Sequence, residues 1–173
     1  TEAGRQGIIT YMMTPDKDYG QLVSDKVFMY RPKHTGGFEV MGVDEVKAKF
    51  DIQSPSQVID MLGLMGDSSD NIPGCPGVGE KTAQKLIAEF GSIENLLEHT
   101  DQLKGALKTK VETNREMITF SKFLATIKID VPIQLDMDSL VREQADEDSL
   151  RQIFEELEFR TLIDRVLKKE NSM

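Results

Sequence analysis

The chain has 173 residues, 39% hydrophobic and 29% charged, enough for one domain with a real core or for a domain plus an appendage. Lys+Arg 21 against Asp+Glu 30 leaves a net charge of −9. That argues against a basic protein that coats nucleic acid, but not against a nuclease, whose site carboxylates count as negative until a cation binds. Cys75 is the only cysteine, so an intrachain disulfide is excluded and a reducing compartment fits.

No apolar run approaches the roughly 18 residues that a membrane span needs, and the N-terminus lacks a charged-then-apolar signal pattern. The chain opens on Thr1 and almost at once enters the apolar run Ile8 to Met13, which reads as the start of a trimmed fragment. That run is rich in strand formers and predicts a parallel strand buried on both faces. It ends in the turn Thr14-Pro15-Asp16-Lys17-Asp18. Val27 to Tyr30 and Phe38 to Met41 flank His34-Thr35-Gly36-Gly37 and predict a hairpin. Residues 1–42 are therefore expected to be α/β material, and residues 43–173 a mostly helical region.

Helical periodicity starts at Val43, with Val46 and Phe50 on the same face. Ser54-Pro55-Ser56-Gln57 has the residues of a capped helix start, with Ser at N-cap, Pro at N1 and Gln at N3. Val58, Met61, Leu62 and Met65 continue it to a stop at Gly66, which leaves Asp67 in a loop. A second helix buries Ala83, Leu86, Ile87 and Phe90 and stops at Gly91, with Ser92 capping the next one. A longer helix is expected from about Ala106 to Leu124, then an extended stretch from Thr126 to Pro132. Two further helices follow, marked by Leu150, Ile153, Phe154 and Leu157 and by Leu162, Ile163, Val166 and Leu167, with a frayed tail from Lys168 to Met173.

The chemistry concentrates in GDSSDNIPGCPGVGEKTAQKLIAEF, residues 66–90. Asp67 and Asp70 stand three apart and can bracket one hard cation, although capping is the competing reading of so polar a loop. Asp16 and Asp18 follow a strand's C-terminal end, the edge where open α/β sheets bind ligands; a plain solvated turn is the alternative. Four carboxylates at one rim would suit two-metal phosphoryl chemistry. In the turn from Ile72 through Gly74 to Gly79, Gly77 and Gly79 allow positive φ and close backbone approach, with Val78 plugging into the core between them. The turn runs into a helix start, where the N–H groups near Gly79 to Lys81 can face a phosphate, and Lys85 lies four residues beyond Lys81 on the same face. Such a cradle reads backbone, not bases. Cys75 reads as a packing residue, and His34 and His99 as surface residues.

These residues resemble the flap endonuclease family, in particular the 5′ nuclease domain of bacterial DNA polymerase I. The matching words are Thr14-Pro15-Asp16-Lys17-Asp18 with Gln21-Leu22-Val23, then Gly66 to Gly74, then Gly77-Val78-Gly79-Glu80-Lys81-Thr82-Ala83, and the weaker Leu157-Glu158-Phe159. The resemblance implies a divalent-metal-dependent 5′–3′ exonuclease and flap endonuclease of replication and repair, bacterial and cytoplasmic. Asp16, Asp18, Asp67 and Asp70 match the family's metal-binding carboxylates, for Mg²⁺ or Mn²⁺. Residues 66–90 match a helix–hairpin–helix that grips duplex or flap DNA without regard to sequence, often with K⁺ on its carbonyls. The rest of a DNA polymerase I chain is the implied partner. The family's upstream acidic ligands and helical arch are not found in this chain. The resemblance therefore implies the C-terminal part of the nuclease domain, with no complete catalytic set and little or no cleavage alone. Two other classes compete. A non-catalytic helix–hairpin–helix module would need neither Asp pair. A base-excision glycosylase would place its acid after the hairpin and favour aromatics, which are 6% here with no Trp.

Overall fold

The chain is described from a computed structural model that covers residues 1–33 and 35–167. The expectations for His34 and for residues 168–173 lie outside the described residues. Two compact units are present, Thr1–Ile133 and Gln134–Met173.

In the first unit a short helix α1 (Glu2–Arg5) precedes a three-stranded sheet of β1 (Thr10–Met13), β2 (Val27–Pro32) and β3 (Phe38–Met41), in the order β1-β2-β3. β1 runs parallel to β2 with Thr10 opposite Val27, and β2 and β3 form the expected hairpin with Met29 opposite Met41. A six-residue 3-10 turn, Lys17–Leu22, links β1 to β2.

The strand expected to be buried on both faces is shorter and more open than its composition implies. Only Thr10–Met13 pairs, and its outward positions are exposed, Met13 by 72%. The physical reason is position: β1 is an edge strand, and only the Met12, Met29 and Met41 side of the sheet meets the core. The opposite side carries an aromatic ladder, with Tyr11 stacked on Phe28 at 5.6 Å and Tyr30 on Phe38 at 4.6 Å.

The helices then follow as α2 (Val43–Phe50), α3 (Val58–Met65), α4 (Glu80–Phe90), α5 (Ile93–Glu98), α6 (Gly105–Thr113) and α7 (Arg115–Ala125). Met29 and Met41 share one core with Val46, Leu62, Leu86 and Ile118. Residues 42 and 43 therefore mark a change from sheet to helix inside one core. The entry into α3 is capped as its residues require: Ser54 Oγ accepts from Ser56 N, and Gln57 Oε1 accepts from Ser54 N at 3.1 Å. α4 buries Ala83, Leu86, Ile87 and Phe90, the face its period predicts, and ends at Gly91. The long helix expected from Ala106 to Leu124 is two helices, broken at Asn114, where ψ turns to +22° and the side-chain amide donates to Lys110 O at 2.8 Å. Thr126 to Pro132 belongs to no helix or strand, and Thr126 itself is extended.

The second unit holds α8 (Glu147–Glu156), capped by Asp146, whose carboxylate accepts from Ser149 N at 3.0 Å. A single turn, Arg160–Leu162, follows and runs into a π-helical turn, Ile163–Leu167. No helix among the described residues is long and apolar enough to cross a membrane.

Candidate functional site

Two loops build the site, and α7 ties down both. The Lys17–Leu22 turn is held by Gln21, whose side-chain amide donates to Asp18 O and to Ala125 O, each at 2.9 Å, and accepts from Ile127 N at 2.8 Å. The second loop leaves α3 at Gly66. It closes on itself through Asp67 N to Ile72 O at 2.9 Å and Ile72 N to Asp67 O at 2.8 Å, with Asn71 in the left-handed region at φ 57°. Gly74 N then donates to Ser121 Oγ on α7 at 3.0 Å.

This arrangement gathers Asp18, Asp67 and Asp70, each offering an oxygen within 4.8 Å of the others. Asp16 stands apart from that group. The chain enters the 3-10 turn one residue after Asp16, so its carboxylate serves as the N-cap and accepts from Asp18 N at 3.0 Å. The Asp16 carboxylate thus spends one oxygen on the turn, while its charge still reaches Asp18.

The three gathered carboxylates differ. Asp18 is half-buried, and its Oδ1 is shielded from solvent without a hydrogen-bond partner. Burial first, then the charges of Asp16, Asp67 and Asp70, push its carboxyl up to about 6. Asp67 is buried. Its Oδ1 accepts from Ser69 N at 3.0 Å and Ser69 Oγ at 2.5 Å, while Lys17 Nζ lies 2.5 Å from Oδ2 as an ion pair without hydrogen-bond alignment. Burial raises the Asp67 carboxyl, but Lys17 and Ser69 outweigh it and hold the group below the usual carboxylate range. Asp70 is exposed at the rim. A buried carboxylate oxygen with no donor, beside two further carboxylates, is the donor set a hard divalent cation takes.

The hairpin occupies residues 74–79. Gly74 and Gly77 have φ of 63° and 77°, whereas Gly79 is extended at −97° and acts as the N-cap of α4. Positive φ, expected at Gly77 and Gly79, is therefore found at Gly77 but not at Gly79, while Gly74, not singled out for it by the sequence, adopts it; Gly79 contributes open space instead, since an added Cβ would meet nothing within 4 Å. Val78 is buried in the core, as expected for a plug. No side chain caps α4, so its first N–H groups, around Glu80 and Lys81, lack intrahelical acceptors. Lys81 and Lys85 are exposed, with Gln84 between them tied to Phe50 O, while Thr82 is half-buried and donates its N–H to Gly79 O at 3.0 Å. Cys75 is buried, and burial raises its thiol, in keeping with packing rather than reactivity. His99 is half-buried, with Nδ1 2.9 Å from Asn95 O.

Sequence reasoning missed two cations. Lys17 sits between two candidate ligands, a signal that could have been read, yet it pairs with neither of them and takes Asp67 instead. Lys110, on α6, places Nζ 3.2 Å from the hairpin carbonyl of Gly77, and no local pattern announces a contact over that separation.

A small mixed sheet feeding a helix–hairpin–helix, with carboxylates gathered between them, defines a 5′-nuclease fold. It matches zinc-bound T5 5′-exonuclease with a TM-score of 0.63, over 71% of this chain and 45% of that one, at 22% identity. It also matches the catalytic core of Rad2 in complex with DNA, with a TM-score of 0.57 over 88% of this chain and 54% of that one, at 16% identity. The profile of the family described as 5′-3′ exonuclease, C-terminal SAM fold, covers residues 53–148, and the chain belongs to that family. DNA polymerase I of Bacillus subtilis (strain 168) is 42% identical over 166 residues, 95% of this chain. The chain spans about a fifth of the length of that curated relative, 19%.

Proposed function

We propose that this chain is the part of a DNA polymerase I-type 5′–3′ exonuclease and flap endonuclease that holds a divalent cation and grips duplex or flap DNA. The observation that carries the reading is the convergence of Asp18, Asp67 and Asp70 around the unpartnered Oδ1 of Asp18. Those three residues would hold Mg²⁺ or Mn²⁺, with Asp16 capping the loop and adding negative charge nearby. Bound there, the cation would supply Lewis-acid polarisation of water and charge neutralisation at a phosphodiester. Three carboxylates suit one cation, and two-metal chemistry needs more ligands, so this chain alone should cleave little or nothing.

The hairpin residues Gly74, Gly77, Val78 and Gly79, with Lys81, Thr82 and Lys85 at the start of α4, would meet the DNA backbone. Their backbone N–H groups and flexible ammonium groups carry no base information, so binding is independent of sequence. A potassium ion on the hairpin, as the family resemblance implies, would have to displace the Lys110 ammonium from Gly77 O. The relatives favour the same reading, since the T5 enzyme is described with divalent metal and the Rad2 core with DNA substrate. In the parent protein the remaining polymerase chain would be the partner.

The test is a labelled 5′-flap duplex followed by anisotropy, alongside thermal melting in Mn²⁺. Binding that weakens in a Lys81→Glu, Lys85→Glu variant, together with a Mn²⁺-dependent rise in Tm that Asp67→Asn abolishes, supports the proposal. DNA binding without any Mn²⁺ effect would leave a non-catalytic helix–hairpin–helix module.

A further inference from the structure

We propose that Lys17 is a tethered counter-ion of the carboxylate cluster. It holds Asp67 in place while the cluster is metal-free, and yields Asp67 Oδ2 when a divalent cation is taken up. The inference rests on the metal-site reading above.

The geometry leaves Asp67 one oxygen to share. Oδ1 is held by the backbone and hydroxyl of Ser69, and Oδ2 by Lys17 Nζ at 2.5 Å. The Asp67 side chain is 3% exposed, so its charge has little water to rely on, and the ammonium answers it directly. Three carboxylates whose oxygens lie within 4.8 Å of one another repel, and Lys17 is the cation in contact with the group among the described residues. The ammonium is supplied from the loop that carries Asp18, whose backbone the Asp16 cap fixes.

A divalent cation on Asp67 Oδ2 and an ammonium on the same oxygen would stand a few ångströms apart, and their repulsion removes one of them. Lys17 can be the one to leave. Its side chain is 32% exposed, and a four-carbon stem lets the charge swing into solvent without moving the backbone. The lysine therefore competes with the metal and lowers its affinity, while keeping the empty cluster from flying apart. A merely structural lysine would do the opposite, because its loss would loosen the loop and weaken metal binding.

The experiment measures Mn²⁺ binding by the loss of the free-ion EPR signal, and metal-free Tm, for the wild-type chain, Lys17→Met, Lys17→Arg and Asp67→Asn. Lys17→Met should bind Mn²⁺ about tenfold more tightly or better, and melt at a lower temperature without metal. Lys17→Arg, which keeps the charge, should stay near the wild type in affinity, and Asp67→Asn should bind weakly. Equal or weaker Mn²⁺ binding by a folded Lys17→Met, with the wild type binding, would overturn the role of Lys17 and leave the metal site standing. If no variant and not the wild type binds Mn²⁺, the metal reading falls and this inference with it.

Discussion

Gly74 and Ser121 join the hairpin to α7: the buried amide of Gly74 donates to Ser121 Oγ at 3.0 Å across 47 residues of chain. The same helix receives Gln21 one turn further on, at Ala125 O, its last residue. One helix thus fixes the relative placement of the loop that carries Asp18 and the loop that carries Asp67 and Asp70.

Ser121→Ala should cost about 1–3 kcal/mol, because it strands a buried N–H without an acceptor. Gly74→Ala should cost more. Its φ is 63°, and an added Cβ would lie 2.3 Å from Gly66 N and 2.7 Å from Gly66 Cα, where backbone must move. Urea unfolding of both variants checks the ranking. Mn²⁺ affinity should fall in both, because Gly66 directly precedes Asp67.

Lys122, on α7, bridges Asp60 Oδ1 at 2.6 Å and Glu94 Oε2 at 2.7 Å, and Asp60 also accepts Ile93 N at 2.9 Å, capping α5. Burial depresses the Lys122 ammonium, but the two carboxylates reverse this and raise it above its ordinary 10.5. Its stabilising effect is therefore full below pH 10.5 and lost as pH rises through the folded-state value. Burial raises Asp60 above its ordinary 3.8, against the pull of Lys122 and Ile93 N–H. Lys122→Met should destabilise by about 3–5 kcal/mol near neutral pH, since it leaves a buried carboxylate unpaired. Without Lys122 the Asp60 carboxyl rises further, so the variant regains stability as acid protonates it. Unfolding free energies across pH should show the gap to wild type widest at neutrality and closing toward pH 4.

Lys81 and Lys85 should act on DNA through charge alone. Replacing both with Glu should weaken binding equally for unrelated flap sequences. It should also flatten the plot of log K against log salt by about 0.9 per lost phosphate contact, roughly 2 for the pair. Anisotropy titrations at several salt concentrations measure this.

Much of the fold is legible because its signals are local. The Ser54 capping box, the α4 face from Ala83 to Phe90, and the stop at Gly91 each depend on residues within one or two turns of each other. The break at Asn114 was hidden, because the apolar period runs on through both α6 and α7. The exposure of β1 was hidden too, since an apolar run does not say how many of its faces are covered. In the site, carboxylate spacing pointed to Asp16, Asp18, Asp67 and Asp70 alike, and folding brings oxygens of the last three within 4.8 Å of one another, with Asp16 at the N-cap beside them. The N-cap role of Asp16 follows from where the 3-10 turn begins, which spacing alone does not show. Lys17, Lys110 and Ser121 act across 50, 33 and 47 positions, distances that only folding closes.

The account stands most directly on calorimetric titration of Mn²⁺ into the wild-type chain and Asp18→Asn, above about pH 6, where Asp18 has shed its proton. The account predicts one saturable site in the wild type, weakened at least tenfold in a folded Asp18→Asn. Equal binding by the two would contradict it, because the cation would then lie somewhere other than among Asp18, Asp67 and Asp70.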